Sequence, residues 1–137
     1  MPSKKLKKRK NISSPIDPQS IKGKRIDYPI FCFKHLKLTF NREYKYYYKF
    51  IERIQKLSTL SWNQINRESK HGYGFEKMPL NQIRKDMPPF ITPDVQHLQV
   101  FRATGDNRVF LGLRKENIFH VIFMEEQFGD IYNHGSK

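Results

Sequence analysis

The sequence predicts an α+β fold, in which helices lie on one face of a mostly antiparallel sheet. Three runs of strand-forming residues follow one another near the C-terminus, at residues 98–104, 108–114 and 118–124. The two segments between them, 105–107 and 115–117, contain Gly or Asn, which tolerate the positive φ that a bulged hairpin needs. We therefore expect these three runs to form an antiparallel meander.

The third run, Ile-Phe-His-Val-Ile-Phe-Met, is apolar on both faces apart from His120. A strand of this kind belongs inside a sheet with both of its sides covered, or at least half-covered by helices. We therefore take residues 118–124 as the centre of the fold.

The preceding half of the chain predicts a strand and then a helix. Residues 28–40 are rich in aromatic side chains and partly alternating, and Lys34 and Lys37 are compatible with an edge position. Asn41 can cap a helix that continues through Leu57. The expected buried stripe of that helix is Tyr44, Tyr47, Tyr48, Ile51 and Ile54. These tyrosines could instead stack on nucleobases, but at helical spacing a core role is favoured.

A second helix is predicted by its N-terminal signature. Ser61 and Gln64 have the spacing of a capping box, and Leu60 and Ile65 have that of a hydrophobic staple. The helix should begin at Trp62 and end near residue 68.

The segment between this helix and the meander is expected to be a loop and a short third helix. Two glycines around Tyr73 predict a loop over residues 70–75, and Pro79 can open a helix that ends near residue 86. Prolines 88, 89 and 93 then lead into the sheet. An N-terminal strand, two to three helices and the meander would form a single domain over residues 26–137.

Composition points to a polyanionic partner. The chain of 137 residues is long enough for one domain, and its net charge is +13. Residues 1–25 hold nine Lys or Arg and one Asp, so we expect a disordered basic tail. Its KKLKKRK run fits a nuclear import signal, but non-specific attraction to phosphate is the favoured interpretation.

Several classes of protein are excluded by what the sequence lacks. A single cysteine, Cys32, allows no internal disulfide and suggests a reducing compartment. No apolar stretch approaches the roughly 18 residues of a membrane span, and no secretory signal is present, so we expect a cytoplasmic protein with no membrane partner. Dinucleotide and P-loop motifs are absent, and the histidines lack metal-ligand spacing. We therefore expect no cofactor and no metal.

The remaining candidates are basic and proton-transferring side chains. RNA can be cleaved without metal when its own 2′-OH attacks the phosphate and the protein supplies a base, an acid and positive charge. The candidate catalytic residues are His71, Arg102, Arg114, His120, Tyr132 and His134. The candidate nucleic-acid-binding residues are Lys70, Lys77, Arg84, Arg108 and Lys115. Singly, a strand arginine is more often solvated, and His120 is as compatible with a core histidine; together, the excess of positive charge favours a phosphate-binding surface.

The order of these elements resembles the RelE/ParE-type toxins of bacterial toxin–antitoxin modules. The stretch FRATGDNRVFLGLRKENIFHVIFMEEQFGDIYNH is similar to the arginine-bearing strand, hairpin, central strand and C-terminal Tyr segment of that family. The resemblance implies a RelE-like fold, metal-independent cleavage of mRNA at the ribosome, and a cognate antitoxin protein as partner. It also implies that Arg102, Arg108 and Arg114 orient or neutralise phosphate. Tyr132 would stack or act near the 2′-OH.

Two hypotheses stay open at this point. The basic tail and the loop KHGYGFEK have no counterpart in RelE toxins, and ParE-like members of the fold act on gyrase, so the fold alone leaves the target open. The first hypothesis is a metal-independent endoribonuclease. The second is a non-catalytic basic module of a phage or mobile element that binds nucleic acid or protein, with binding that depends steeply on salt.

Overall fold

The computed structural model describes residues 27–38 and 43–135, and the statements below concern this part of the chain. The predicted basic tail and the predicted cap Asn41 lie outside it. The elements of the described part are, in chain order, β1 (Ile30–Cys32), α1 (Tyr44–Ser58), α2 (Trp62–Asn66), β2 (Phe75–Pro79), a 3₁₀ turn (Leu80–Gln82), β3 (His97–Arg102), β4 (Val109–Lys115) and β5 (Ile118–Met124).

The strands form one mixed sheet in the order β1-β5-β4-β3-β2. Strands β2 to β5 pair antiparallel, and β1 pairs parallel with β5 at one edge, where Ile30 lies opposite Ile118. The α+β class and the edge position of the first strand are therefore confirmed, but of the stretch 28–40 only Ile30–Cys32 is strand among the described residues. Strand β5 lies inside the sheet as expected, but β4 is the central strand.

The meander is confirmed. Its β3–β4 connection is longer than expected, and its β4–β5 connection is shorter. Strand β4 continues to Lys115, which pairs with Ile118, so only two residues turn the chain, and Glu116 takes a φ of +58°. The β3–β4 connection spans residues 103–108 and has Asn107 at a φ of +76°. The positive φ expected in each turn is thus present, at Asn107 and Glu116.

Both faces of the sheet bury apolar side chains. On one face, helices α1 and α2 cover a group that includes Phe101, Phe110 and Phe119, whose rings contact one another at centroid distances of 5.1 to 5.9 Å. On the other face, Leu98 and Leu111 pack against residues from segment 80–96 and from the segment after β5. The second face is therefore covered by irregular chain rather than by a helix.

Helix α1 buries a different stripe from the one predicted. The buried residues are Tyr46, Phe50 and Leu57, whereas Tyr44 and Tyr48 are 81% and 64% exposed. Phe50 packs edge-on against Phe110, at 5.2 Å between ring centroids, and the Tyr46 hydroxyl donates to a backbone carbonyl beyond β5. The helix carries two competing apolar stripes, and the stripe with partners on the sheet is the buried one.

The second helix agrees with its signature, and the third helix is wrong. Ser61 and Gln64 form the capping box, with bonds of 3.1 and 2.8 Å, although α2 already ends at Asn66. Residues 75–79 form β2, in which buried Met78 pairs with Leu98, and only the 3₁₀ turn follows. An α-helix after Pro79 would need the Arg84 N–H to donate to the Leu80 carbonyl, but the Arg84 N–H donates instead to the Ile131 carbonyl beyond β5, at 2.8 Å. Within the described residues, no helix is long and apolar enough to cross a membrane.

Candidate functional site

Four of the six predicted catalytic residues line one cleft. The cleft has a volume of about 200 Å³ and lies between strands β2 and β3, the β3–β4 turn and the segment after β5. Its predicted members are His71, Arg102, Tyr132 and His134, and Lys70 from the predicted nucleic-acid-binding group lies beside them. The topology therefore brings together residues that are more than 60 positions apart in sequence.

His134 is held by a buried glutamate. Glu125, the residue that follows β5, is fully buried, and its Oε2 lies 2.6 Å from His134 Nε2. The Val109 N–H donates to Glu125 Oε1 at 3.0 Å, and the Gly129 N–H donates to Oε2 at 2.8 Å. Because a carboxylate can only accept, we assign the imidazole proton to Nε2. The neutral ring then offers Nδ1 as its proton acceptor.

Two aromatic rings fix the plane of His134. The ring centroids of Phe128 and Tyr132 lie 4.0 and 4.3 Å from that of His134, and both rings are stacked on it. Two stacked rings at these distances cannot share one face of an imidazole, so His134 lies between them. Tyr132 is buried, and burial, aided by Glu76 and Glu125, raises the pKa of its phenol above the usual value. The phenol therefore stays protonated at neutral pH and cannot serve as the base.

A second histidine contacts the arginine of the cleft. The Arg102 guanidinium lies 2.7 Å from His71 Nδ1 and also donates to the Asn107 side chain. Since a guanidinium has only donors, His71 Nδ1 accepts, and the proton of the neutral ring belongs on Nε2. Beside them, Lys70 Nζ lies 3.0 Å from Glu76 Oε1, and both side chains are exposed. The cleft thus offers a free acceptor nitrogen, His134 Nδ1, and a free N–H donor, His71 Nε2.

The other two predicted catalytic residues lie away from the cleft. Arg114 stacks over the ring of Trp62 at 4.1 Å and donates to the Glu116 carbonyl. His120 packs against Phe90, at 4.6 Å between ring centroids, and its Nδ1 is buried without a hydrogen-bond partner in the described residues. Burial, followed by the charges of His35 and Lys115, lowers the pKa of His120. The structure therefore does not bring these two residues together with the four that line the cleft.

Among the predicted phosphate ligands, Arg108 is already engaged. Its guanidinium is paired with Asp106 at 2.7 Å and Glu43 at 2.9 Å, lies over the Tyr46 ring, and is 12% exposed. Hydrogen bonding from Arg108 lowers the pKa of Asp106 to about 2. These contacts tie the β3–β4 turn to α1, so Arg108 is a structural ion-pair residue in this fold.

The three other basic candidates also lie outside the cleft. Arg84 donates to the Gly129 carbonyl and lines a separate groove with Asp86, Lys77 is exposed on β2, and Lys115 Nζ lies 4.5 Å from the centre of the Phe90 ring. Lys70 is therefore the predicted phosphate ligand that lies among the candidate catalytic residues.

Sequence reasoning missed Glu125 and Phe128. The available signal for Glu125 was its position directly after β5, a strand that is apolar apart from His120. Phe128 offered no such signal, because its partner His134 is six residues away in an irregular segment. In the described ranges, no group of three or more His, Cys, Asp or Glu side chains could hold a metal ion.

The chain matches no protein-family model, no curated protein and no solved structure. What supports a function is therefore the geometry of the α+β fold and its cleft.

Proposed function

We propose that this protein is a metal-independent endoribonuclease that acts on mRNA, as the RelE-type resemblance implies. The observation that carries the proposal is the pair of histidines in one cleft, His134 backed by buried Glu125 and His71 in contact with Arg102. Cleavage by the 2′-OH needs a base, stabilisation of the leaving 5′ oxygen and a cation; His134 is the candidate base, the His71 N–H can donate a hydrogen bond to the leaving oxygen, and Arg102 is the cation.

His134 is assigned as the base. Its Nδ1 takes the proton of the 2′-OH while the 2′ oxygen attacks the phosphorus, and Glu125 stabilises the imidazolium that forms. The bond from phosphorus to the 5′ oxygen breaks while the His71 Nε2–H donates a hydrogen bond to that leaving oxygen, which takes its proton from solvent water. The products are a 2′,3′-cyclic phosphate and a 5′-OH. Arg102 balances the negative charge that grows on the phosphate oxygens.

Charge and resemblance supply the rest of the proposal. The net charge of +13 favours binding to a polyanion such as RNA. Action at the ribosome, a cytoplasmic location and a cognate antitoxin protein rest on the RelE-type resemblance alone. An antitoxin would bind this basic chain best if it were acidic.

The test is cleavage of a labelled mRNA in EDTA, with and without translating ribosomes. The wild type should cleave and leave 2′,3′-cyclic ends, and His134→Ala and His71→Ala should each lower the cleavage rate by at least a hundredfold. The matched control is His97→Ala, because His97 is an exposed histidine at the start of β3, outside the cleft. Loss of activity in the control, or retention of activity in both cleft variants, would contradict the assignment.

The second candidate is a non-catalytic module that binds nucleic acid or protein. It is favoured by one observation: the contacts of His134 and Arg102 also tie down the segment after β5 and the β3–β4 turn, so they have a structural use. This candidate predicts RNA binding that weakens as salt is added and when any basic residue is replaced. It also predicts no cleavage, with or without translating ribosomes.

A further inference from the structure

Phe128 is a half-exposed aromatic residue beside the candidate site. Its side chain is 55% exposed, although burial of a phenylalanine contributes about 1.5–3 kcal/mol. Loose chain does not explain this exposure, because the turn that carries Phe128 is well bonded. The Gly129 N–H donates to Glu125, the Gln127 N–H donates to Asp130 at 3.2 Å, and Arg84 donates to the Gly129 carbonyl.

One face of the Phe128 ring is occupied and the other is open. The occupied face stacks on His134, and Tyr132 covers the far side of that imidazole. Phe128 also lines the cleft. A flat ring laid on its open face would continue this stack and would lie one ring away from the proposed base.

The surroundings of Phe128 fit a nucleotide. Arg102, His71 and Lys70 line the same cleft and offer positive charge or hydrogen-bond donors for a phosphate. The Lys70–Glu76 ion pair has exposed partners, and such pairs contribute little, so Lys70 can exchange Glu76 for a phosphate at small cost. The cleft volume of about 200 Å³ lies below the roughly 300–1,000 Å³ of sites that enclose a whole drug-sized ligand. A cleft of this size suits a single nucleotide of a longer chain.

We propose, as an inference that rests on the proposed function, that Phe128 is a base-stacking platform and that the substrate is single-stranded RNA. The base beside the scissile phosphate leaves its neighbours and stacks on Phe128. Stacking on an aromatic side chain accepts every base because each has a π-face, so the platform gives strand-state selectivity with little sequence selectivity. A base inside a duplex is paired and stacked on both sides and cannot reach the ring.

The test combines Phe128 variants with abasic substrates. Phe128→Leu should raise KM for a short single-stranded RNA roughly tenfold, within the range of base–aromatic stacking, and change kcat much less. Phe128→Trp should restore KM. An abasic nucleotide moved along the oligonucleotide should weaken wild-type cleavage at one position, and at that position Phe128→Leu should cause no further loss. Phe33→Leu is the matched control, since Phe33 is 41% exposed and lies outside the cleft.

Binding of the same oligonucleotide with 2′-O-methyl groups, which cannot be cleaved, separates the two proposals. Cleavage that is indifferent to Phe128→Leu and to every abasic position would overturn the platform and leave the ribonuclease assignment standing. Binding that depends on Phe128 and on one base, without cleavage of natural RNA, would support the platform and overturn the ribonuclease. Equal competition by duplex RNA, or a KM for Phe128→Trp as high as for Phe128→Leu, would overturn the platform.

Discussion

Replacement of Glu125 by Gln tests the buried interaction on which the cleft depends. Glu125 accepts hydrogen bonds from Val109 N–H, Gly129 N–H and His134 Nε2, and it has no exposed surface. A glutamine has one acceptor oxygen and one NH₂ group. If the oxygen stays on Val109, the NH₂ meets the Gly129 N–H, so two donors face each other in a buried place.

The expected loss of stability follows from this count. A buried donor left without a partner costs about 1–3 kcal/mol, and the glutamine leaves two such donors, the Gly129 N–H and the His134 Nε2–H, without an acceptor. Since Glu125→Gln keeps the shape of the side chain and one acceptor oxygen, we expect the free energy of unfolding to fall by about 3 kcal/mol. For Glu125→Ala we expect at least as much, because all three donors lose their partner. In Glu125→Gln, His134 keeps a hydrogen bond to residue 125 only if its Nε2 becomes the acceptor for the glutamine NH₂. The imidazole proton then moves to Nδ1, and the free acceptor at Nδ1 is lost.

Urea denaturation at neutral pH measures this loss. Trp62 is the only tryptophan of the chain and is buried, so its fluorescence reports unfolding. With a slope of about 2 kcal/mol per molar urea, a loss of 3 kcal/mol lowers the midpoint by about 1.5 M. The control Glu76→Gln changes an exposed ion pair and should cost at most about 1 kcal/mol. A midpoint for Glu125→Gln within about 0.3 M of wild type, at an unchanged slope, would refute the reasoning.

Three further predictions concern the sheet. Gly112→Ala would place a Cβ 2.1 Å from the His120 carbonyl oxygen, so thermal unfolding should show a loss of more than about 1 kcal/mol in stability. In the control Gly105→Ala the new Cβ meets nothing within 4 Å, and stability should stay within about 0.5 kcal/mol of wild type. The pKa of His120 is lowered from 6.5 in the fold, so the unfolded chain binds the proton more readily and stability should fall as pH drops below about 6.5. Urea titrations at several pH values should show a flatter dependence of stability on pH for His120→Phe than for wild type. Arg114→Gln should cost about 0.5–1 kcal/mol through loss of the Trp62 contact and leave RNA cleavage unchanged; a hundredfold loss of cleavage would return Arg114 to the site.

The sequence predicted those elements whose signal is local. The meander, the capping box at Ser61 and the edge position of β1 depend on short patterns, and each is present in the fold. The buried stripe of α1 was wrong because two stripes fit helical periodicity and only the sheet selects Tyr46 and Phe50. Strand β2 was missed because its proline suggested a helix start, while pairing with β3 decides its conformation.

The candidate site was predictable in its residue types and not in its grouping. His71, Arg102, Tyr132 and His134 were chosen for their chemistry, and they meet because the loop before β2, the end of β3 and the segment after β5 converge. His120 was chosen on equal grounds but lies beside Phe90. The long-range contact between Glu125 and Val109, which sets the position of His134, has no short-range signature.

The arginines show how the fold changes the chemistry that the resemblance implies. Three arginines were expected to act on phosphate, but Arg108 is bound by two carboxylates and Arg114 lies over Trp62. Arg102 alone of the three reaches the cleft, with Lys70 as its exposed neighbour. If cleavage occurs there, electrostatic stabilisation depends on a single guanidinium whose planar group also contacts His71 and Asn107. A lysine cannot reproduce both contacts, because its ammonium lacks the planar fork. Arg102→Lys should therefore lower cleavage nearly as much as Arg102→Ala while it preserves the charge.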